Sequence, residues 1–343
     1  MFSGSQATLN QNQQATPQAQ GLSLVSVIIP TWNRSEMVVE AVRSVQQQSW
    51  PNVQIIVVDD GSTDDTAERF ANPIAWDGVL YLRQEHQGQA AARNIGFRYA
   101  QGSYIATLDS DDLWKPNFLE ECIRVLEIYH LDFVFANWTL QGVDGTPSPG
   151  YFEAKVEWKD YPLMGDADWR YLSPEQCREL FLKMCPAPSS ALLFRRELIA
   201  SGWNEQLLIA DDWCFQIQAV LSRPCRAAFT MQKLWTKRND GSGIYDGRSA
   251  IARLEDVWLH DEELIVQHFN SLLTQQEKKI FTLRHTQNSF WLGLLTCKIA
   301  SQRLRGLRLL FSSFMRHPQE FLQVSWQFFV RYCLYRLRLT RQV

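Results

Sequence analysis

"SYIATLDSDD" (residues 103–112) sets the first problem the chain poses. An apolar run, Ile105 to Leu108, ends on three aspartates, Asp109, Asp111 and Asp112, within four positions. Two other stretches share its form: "LVSVIIP" (24–30), which runs on into Thr31, Trp32 and Asn33, and "VQIIVVDD" (53–60). Short continuous apolar runs rich in β-branched residues suit strands buried on both faces. Helical patterns lie between them, "SEMVVEAVRSVQQQS" (35–49) and "GQAAARNIGFRYAQG" (88–102). The alternation predicts a three-layer α/β fold with a mostly parallel sheet. Ligands in such sheets bind outside the carboxyl ends of the strands. The polar ends "PTWNR", "DDGSTDDT" and "DSDDLW" should therefore face one crevice.

Like charges at this spacing repel, so a chain that gathers them at a strand end is expected to compensate them with a cation. Carboxylate oxygens are the ligands Mg²⁺ and Mn²⁺ prefer, commonly shared with a substrate's phosphates. The simpler alternative is a cap on the helix "PNFLEECIRVLEIYH", with Pro116 near its first turn. One aspartate would suffice for that. In "VVDDGSTDDT", Gly61 permits a tight turn, and Ser62 with Asp65 has capping-box spacing for the next helix. That explains the turn but not both Asp59 and Asp60; a carboxylate such as Asp60 can accept a hydrogen bond from a nucleobase edge. In "LLIADDWCFQIQAV" (207–220), Asp211 and Asp212 open a helical pattern. Negative charge is favourable there, and a general base is the functional alternative. Arg93 lies in a helical pattern, where it either pairs with a phosphate or forms a surface bridge.

The chain has 343 residues, 45% hydrophobic and 21% charged, enough for a large α/β domain with an appendage. Its net charge of −3 is unevenly spread: from Lys298 onward nine Lys/Arg face one acid, Glu320, leaving the body strongly acidic. The acidic body argues against a nucleic-acid partner. Seven dispersed cysteines without CxxC spacing read as thiols in a reducing compartment. The Gln-rich start has no apolar signal region and reads as a disordered leader over 1–22. The main domain is expected over 23–248 and a helical, basic region over 249–343. Projected as a helix, residues 320–341 gather Glu320, Gln323, Gln327, Arg331, Arg338 and Arg341 on one face, with much of the rest apolar. Such a helix either packs on protein or lies in a membrane interface with arginines at headgroups. No run is long enough to span a bilayer. A cytoplasmic protein, peripheral on the inner face of the membrane through anionic lipid, is the expectation, with oligomerisation open.

The segments "VSVIIPTWNR", "QIIVVDDGSTDDT", "GQAAARNIGFRYAQGSYIATLDSDDLWKP", "SSALLFRRELIASGWNEQLLIADDW" and "LWTKRNDGSG", in this order over about 24–245, resemble the family-2 glycosyltransferases, inverting enzymes of the GT-A fold. The resemblance implies a nucleotide-sugar donor, usually UDP-linked, a Mn²⁺ or Mg²⁺ cofactor, and a saccharide or lipid-linked saccharide acceptor. It implies that Pro30, Thr31, Trp32 and Asn33 line the base pocket, with Trp32 where the family commonly stacks a tyrosine on uracil. Asp60 would read the base and Arg93 would lie near the nucleotide. Asp109-Ser110-Asp111 matches the DXD motif; it and Asp112 share the metal and ribose roles jointly. Asp212 matches the catalytic base, and Asp211 the preceding acid at the donor. Two segments depart from the pattern: the usual N-x-G reads His86-Gln87-Gly88, and the late R-x-H segment is replaced around Thr236 to Arg238. A nucleotidyltransferase would show a Gly-rich loop after the first strand, which "PTWNR" lacks; a catalytically degenerate saccharide-binding scaffold is the non-enzyme alternative.

Overall fold

The computed structural model describes residues 21–142, 156–165, 168–199, 201–238 and 249–339. Residues 1–20 of the expected leader and the "GSG" at 241–243 lie outside the described residues. The strands are β1 (Val25–Thr31), β2 (Val53–Asp59), β3 (Val79–Arg83), β4 (Tyr104–Thr107), β5 (Asp112–Trp114), β6 (Phe133–Gln141), β7 (Trp169–Leu172), β8 (Leu192–Arg195) and β9 (Ala227–Arg238). They form one sheet in the order β3-β2-β1-β4-β8-β6-β9-β5, with β7 on β9. The half built from β1 to β4 is parallel throughout. Beyond β4 the sheet is mixed: β8 runs antiparallel to both β4 and β6, and β6 runs parallel to β9. Most registered residue pairs are parallel, as the buried β-branched runs predict. The antiparallel members are short aromatic segments that carry no such signature.

Helices α1 (Ser35–Gln46), α2 (Thr66–Phe70) and α3 (Gln89–Tyr99) connect the parallel strands β1 to β4, and α4 (Phe118–Ile128) leads from β5 to β6. In α1, Val38, Val42 and Val45 recur at helical spacing and are buried. The start of α4 settles one alternative: its cap position is Asn117, without a side-chain cap bond, and Asp112 lies in β5. The aspartates are therefore not helix caps. The Ser62/Asp65 capping box is also absent. Ser62 Oγ accepts from the Asn33 N–H at 2.9 Å instead, and Asp64 accepts from the Thr66 N–H and hydroxyl at the head of α2.

Helix α3 lies close on β1 and β2 because its inner face is small: Ala92 and Gly96. A Cβ on Gly96 would meet Ile28 Cγ2 at 2.4 Å and Val58 Cγ2 at 3.3 Å. Both neighbours are β-branched, fully buried and stiff. Gly96→Ala should lower unfolding stability by about 1–3 kcal/mol, read by denaturant melts.

Helices α5 (Pro174–Lys183) and α6 (Asp211–Ser222) precede the C-terminal region of α7 (Ala250–Glu255), α8 (Glu262–Phe269), α9 (Gln275–Lys298), α10 (Arg303–Arg316) and α11 (Pro318–Leu339). A π-helical turn, Asp256–Asp261, joins α7 to α8. This region is packed on the body. Ile265, Phe269 and Phe281 share a hydrophobic cluster with Leu182, Leu207, Trp213 and Ile217. The Arg284 guanidinium lies 4.1 Å over the Trp213 ring and pairs with Glu262 at 2.9 Å. Arg178 of α5 forks onto Glu277 at 2.5 and 3.1 Å, which holds that carboxyl down to about 2. Helices α9 and α10 cross where Gly293 meets Gly306. A Cβ on Gly306 would sit 2.6 Å from Cys297 N and 2.7 Å from Gly293 O, so the contact is backbone on backbone. No helix of the described residues is long and apolar enough to cross a membrane. Cys122, Cys177, Cys185, Cys214, Cys225 and Cys297 are free thiols.

Candidate active site

The carboxyl ends of β1, β2 and β4 open on one side of the sheet, and there the sequence-predicted residues gather. β4 stops at Thr107, so a turn sets the acidic loop, with the Asp112 N–H donating to Asp109 O at 2.9 Å. Ser190 braces this turn from the short 3-10 turn, Ser189–Ala191, that leads into β8. Its hydroxyl donates to Asp112 Oδ2 at 2.6 Å and accepts from the Asp109 N–H at 3.0 Å. Carboxylate oxygens of Asp109, Asp111 and Asp112 lie within 4.8 Å of one another. The side chains of Asp109 and Asp111 are 20% and 15% exposed, whereas Asp112 is fully enclosed.

Cations from three elements answer this charge. Arg34, just past β1, pairs with Asp111 at 2.8 Å. Arg93 of α3 donates to Asp109 at 2.7 Å. Lys237 Nζ of β9 lies 3.8 Å from Asp112, and Arg238 Nε donates to Asp111 O at 2.6 Å. The last two arrive because β5 pairs antiparallel with β9, setting Asp112 opposite Lys237. Arg34, Lys237, Arg238 and Ser190 had no assigned role from sequence. Lys237 and Arg238 occupy the segment that departs from the R-x-H pattern.

The electrostatics follow from burial and these neighbours. Burial opposes the Asp109 charge, but Arg93, Lys237 and Arg34 hold its carboxyl below the ordinary value. Burial lifts Asp112 to about 7, with Lys237 opposing and the other two aspartates adding to the shift. Burial also works against the Lys237 charge, yet the three aspartates hold its proton well above the usual range.

Arg93 joins this loop to the second carboxylate pair. It is 2% exposed, and its other terminal nitrogen donates to Asp211 at the head of α6. Gln89, one turn earlier on α3, donates to the other Asp211 oxygen at 2.5 Å. Asp211 is thus a buried anchor and Arg93 a brace. Asp212 is only partly buried. Its Oδ1 accepts from the Trp213 N–H at 2.6 Å. Desolvation first, then the Asp211 charge, raise its carboxyl to about 7 against the pull of Arg93. Asp261 sets the approach to this pair. Fully buried at the end of the π turn, it accepts from the N–H groups of Leu208 at 3.0 Å and of Ile209 and Ala210 at 2.8 Å each.

Pro30 and Thr31 close β1, and Asn33 follows with a left-handed φ of 50°. Asn33 Oδ1 accepts from the Thr63 N–H at 2.7 Å, tying the β1 loop to the β2 loop. The Thr31 hydroxyl is buried without a hydrogen-bond partner. Asp60 is turned onto the loop after β3: it accepts from the N–H groups of Gln87 and Gly88 at 2.8 Å each, from Gln84 at 2.5 Å and from His86 Nδ1 at 2.9 Å. Trp32, 37% exposed, stacks on the His86 ring at 4.5 Å.

A mixed α/β sheet of this order, with aspartates at its strand ends and a second acidic pair facing them, has the architecture of a GT-A glycosyltransferase. Residues 26–202 match the model of the family described as Glycosyl transferase family 2, and the chain belongs to that family. It is 40% identical over 134 residues to the putative teichuronic acid biosynthesis glycosyltransferase TuaG of Bacillus subtilis, covering 38% of this chain and 53% of that one. It is 34% identical over 121 residues to the UDP-Glc:alpha-D-GlcNAc-diphosphoundecaprenol beta-1,3-glucosyltransferase WfaP of Escherichia coli, covering 35% and 48%. The matched segments span 17% to 53% of the curated relatives' own length. In fold, the chain is similar to S. aureus TarS 1-349 in complex with UDP-GlcNAc, with a TM-score of 0.54 at 18% identity, over 86% of this chain and 92% of that one.

Proposed function

We propose that the protein transfers a sugar from a UDP-linked donor to a hydroxyl of a saccharide or lipid-linked saccharide, inverting the anomeric carbon, with Asp212 as general base. The observation that carries this reading is the single bridge, Arg93, between the Asp109–Asp112 loop and the Asp211–Asp212 pair. It ties a site suited to a diphosphate to a half-open carboxylate whose proton is held to about 7, the value that suits a base near neutral pH.

Three hard oxygen donors fit a divalent cation, Mn²⁺ or Mg²⁺. Asp109 and Asp111, the two with open surface, would hold it, with Asp112 behind them. When bound, it supplies charge neutralisation for the departing diphosphate. Lys237 and Arg238 add fixed positive charge on the same side. Trp32 offers a ring face to the base, and Asp60 takes a base N–H in the place His86 occupies. The unpartnered Thr31 hydroxyl is the further polar group in that pocket. Asp212 takes the proton of the acceptor hydroxyl as that oxygen attacks the face opposite the leaving group. A single displacement inverts the centre. The name of WfaP, a transferase onto a diphosphoundecaprenol-linked sugar, supports a lipid-linked acceptor. The same reading keeps 23–248 as the catalytic domain, with 249–343 supporting it.

Calorimetric titration with UDP, GDP and CDP, with and without Mn²⁺, tests the site. UDP should bind in a metal-dependent way, and Asp111→Asn should weaken it by roughly tenfold or more. A folded protein that binds none of the three nucleotides would favour the scaffold alternative.

A further inference from the structure

Helices α10 and α11 leave apolar surface uncovered. Gly306 and Ser313 are the residues of α10 that are buried. On the opposite side of the same helix, Leu304, Leu307, Phe311 and Met315 follow one another at helical spacing, with Leu304 and Phe311 73% and 66% exposed. α11 does the same: Val324 is buried, while Leu322 and Trp326 are 60% and 66% exposed. Arg303 and Arg308 flank the α10 stripe and are exposed. From Arg303 to Arg316 the sequence contains four arginines and no acid.

We infer that this face is a docking surface for a bilayer with anionic headgroups, with α10 and α11 lying in the plane of the interface. Large side chains would enter the acyl boundary, and the flanking arginines would reach phosphates. Charge selects this occupant, because the arginines of α10, with no acid among them, complement anionic headgroups. A second copy of the chain docked through the same face would set arginine-flanked stripes against each other, a like-charge pairing with no carboxylate on α10 to relieve it. The inference rests on the surface of α10 and α11 and is independent of the chemistry assigned to the crevice.

Co-sedimentation of the full chain with vesicles of phosphatidylcholine, and of phosphatidylcholine mixed with phosphatidylglycerol, tests it. Binding is expected to the anionic vesicles, falling as salt rises. Arg303→Glu/Arg308→Glu should reduce it by about tenfold or more. Phe311→Ser/Trp326→Ser should abolish it, with melting temperature and circular dichroism unchanged because both side chains are exposed. Light scattering on the same samples reads oligomeric state. Absence of binding by well-folded wild type would overturn the inference. So would equal binding to neutral vesicles, or a dimer that Phe311→Ser/Trp326→Ser dissociates.

Discussion

Asp212→Asn should leave the donor bound and stop transfer. The substitution keeps the shape, and the amide oxygen can still accept from the Trp213 N–H that holds Oδ1, so the head of α6 should stay in place. What it removes is the capacity to take a proton. A general base contributes about 10²–10⁴-fold, and kcat should fall by about 10³-fold while UDP affinity stays within about twofold. Two pH measurements accompany this. A general base works ionised, and the Asp212 carboxyl is held to about 7, so if Asp212 is the base wild-type kcat/KM should decline as pH falls through that value. The folded state raises this pKa above its unfolded value, so between the two the folded protein binds the extra proton and the charge opposes folding as pH rises. Asp212→Asn should therefore melt higher than wild type above pH ~7 and about equally near pH ~4. Unchanged transfer would remove the base assignment.

The second large effect is expected from Asp261→Ala, outside the strands that build the crevice. One carboxylate receives three consecutive N–H groups, Leu208 to Ala210, immediately before Asp211. Bonds from N–H to a charged acceptor are stronger than neutral ones, and removing it leaves the buried Ala210 donor and the part-buried Ile209 donor to be satisfied elsewhere. Stability should fall by about 2–4 kcal/mol, since each unsatisfied buried donor costs about 1–3. A shift of the loop by about an ångström can cost about a hundredfold in rate, and a loss of that size in kcat is expected. Affinity for UDP, which the opposite side of the crevice would hold, should change far less. Equal losses in kcat and UDP affinity would mean that Asp261 supports the whole fold and not the placement of Asp212.

The parallel half of the sheet was legible because strands covered on both faces need unbroken apolar sequence, and Val25 to Thr31 is buried at every position. The aspartates stood out because a helix cap needs one and this strand end gathers three. The remainder depended on pairing between distant segments. Lys237 and Arg238 enter the site because β9 runs antiparallel to β5 across more than a hundred residues, a register that local pattern does not encode. Asp261 had no assigned role from sequence, and its part comes from the docking of the π turn beside the Leu208–Ala210 backbone. Ser62 and Asp65 have capping-box spacing, but a tertiary partner, the Asn33 N–H, takes the hydroxyl first. Local chemistry offered the bond, and a longer-range contact claimed it.

The crossing of α9 and α10 at Gly293 and Gly306 has a geometric consequence. The two backbones meet closely there, with the Leu310 and Cys297 side chains packed against the glycines, and this interlocking seats one helix on the other. The outward stripe of α10 therefore keeps one angle to α9, and through Phe281 and Arg284 of α9 to α6 and Asp212. If that stripe rests on a bilayer, the base stands at a fixed altitude above it. The enzyme would then gauge its acceptors like a caliper, favouring those whose receiving hydroxyl stands that far from the lipid.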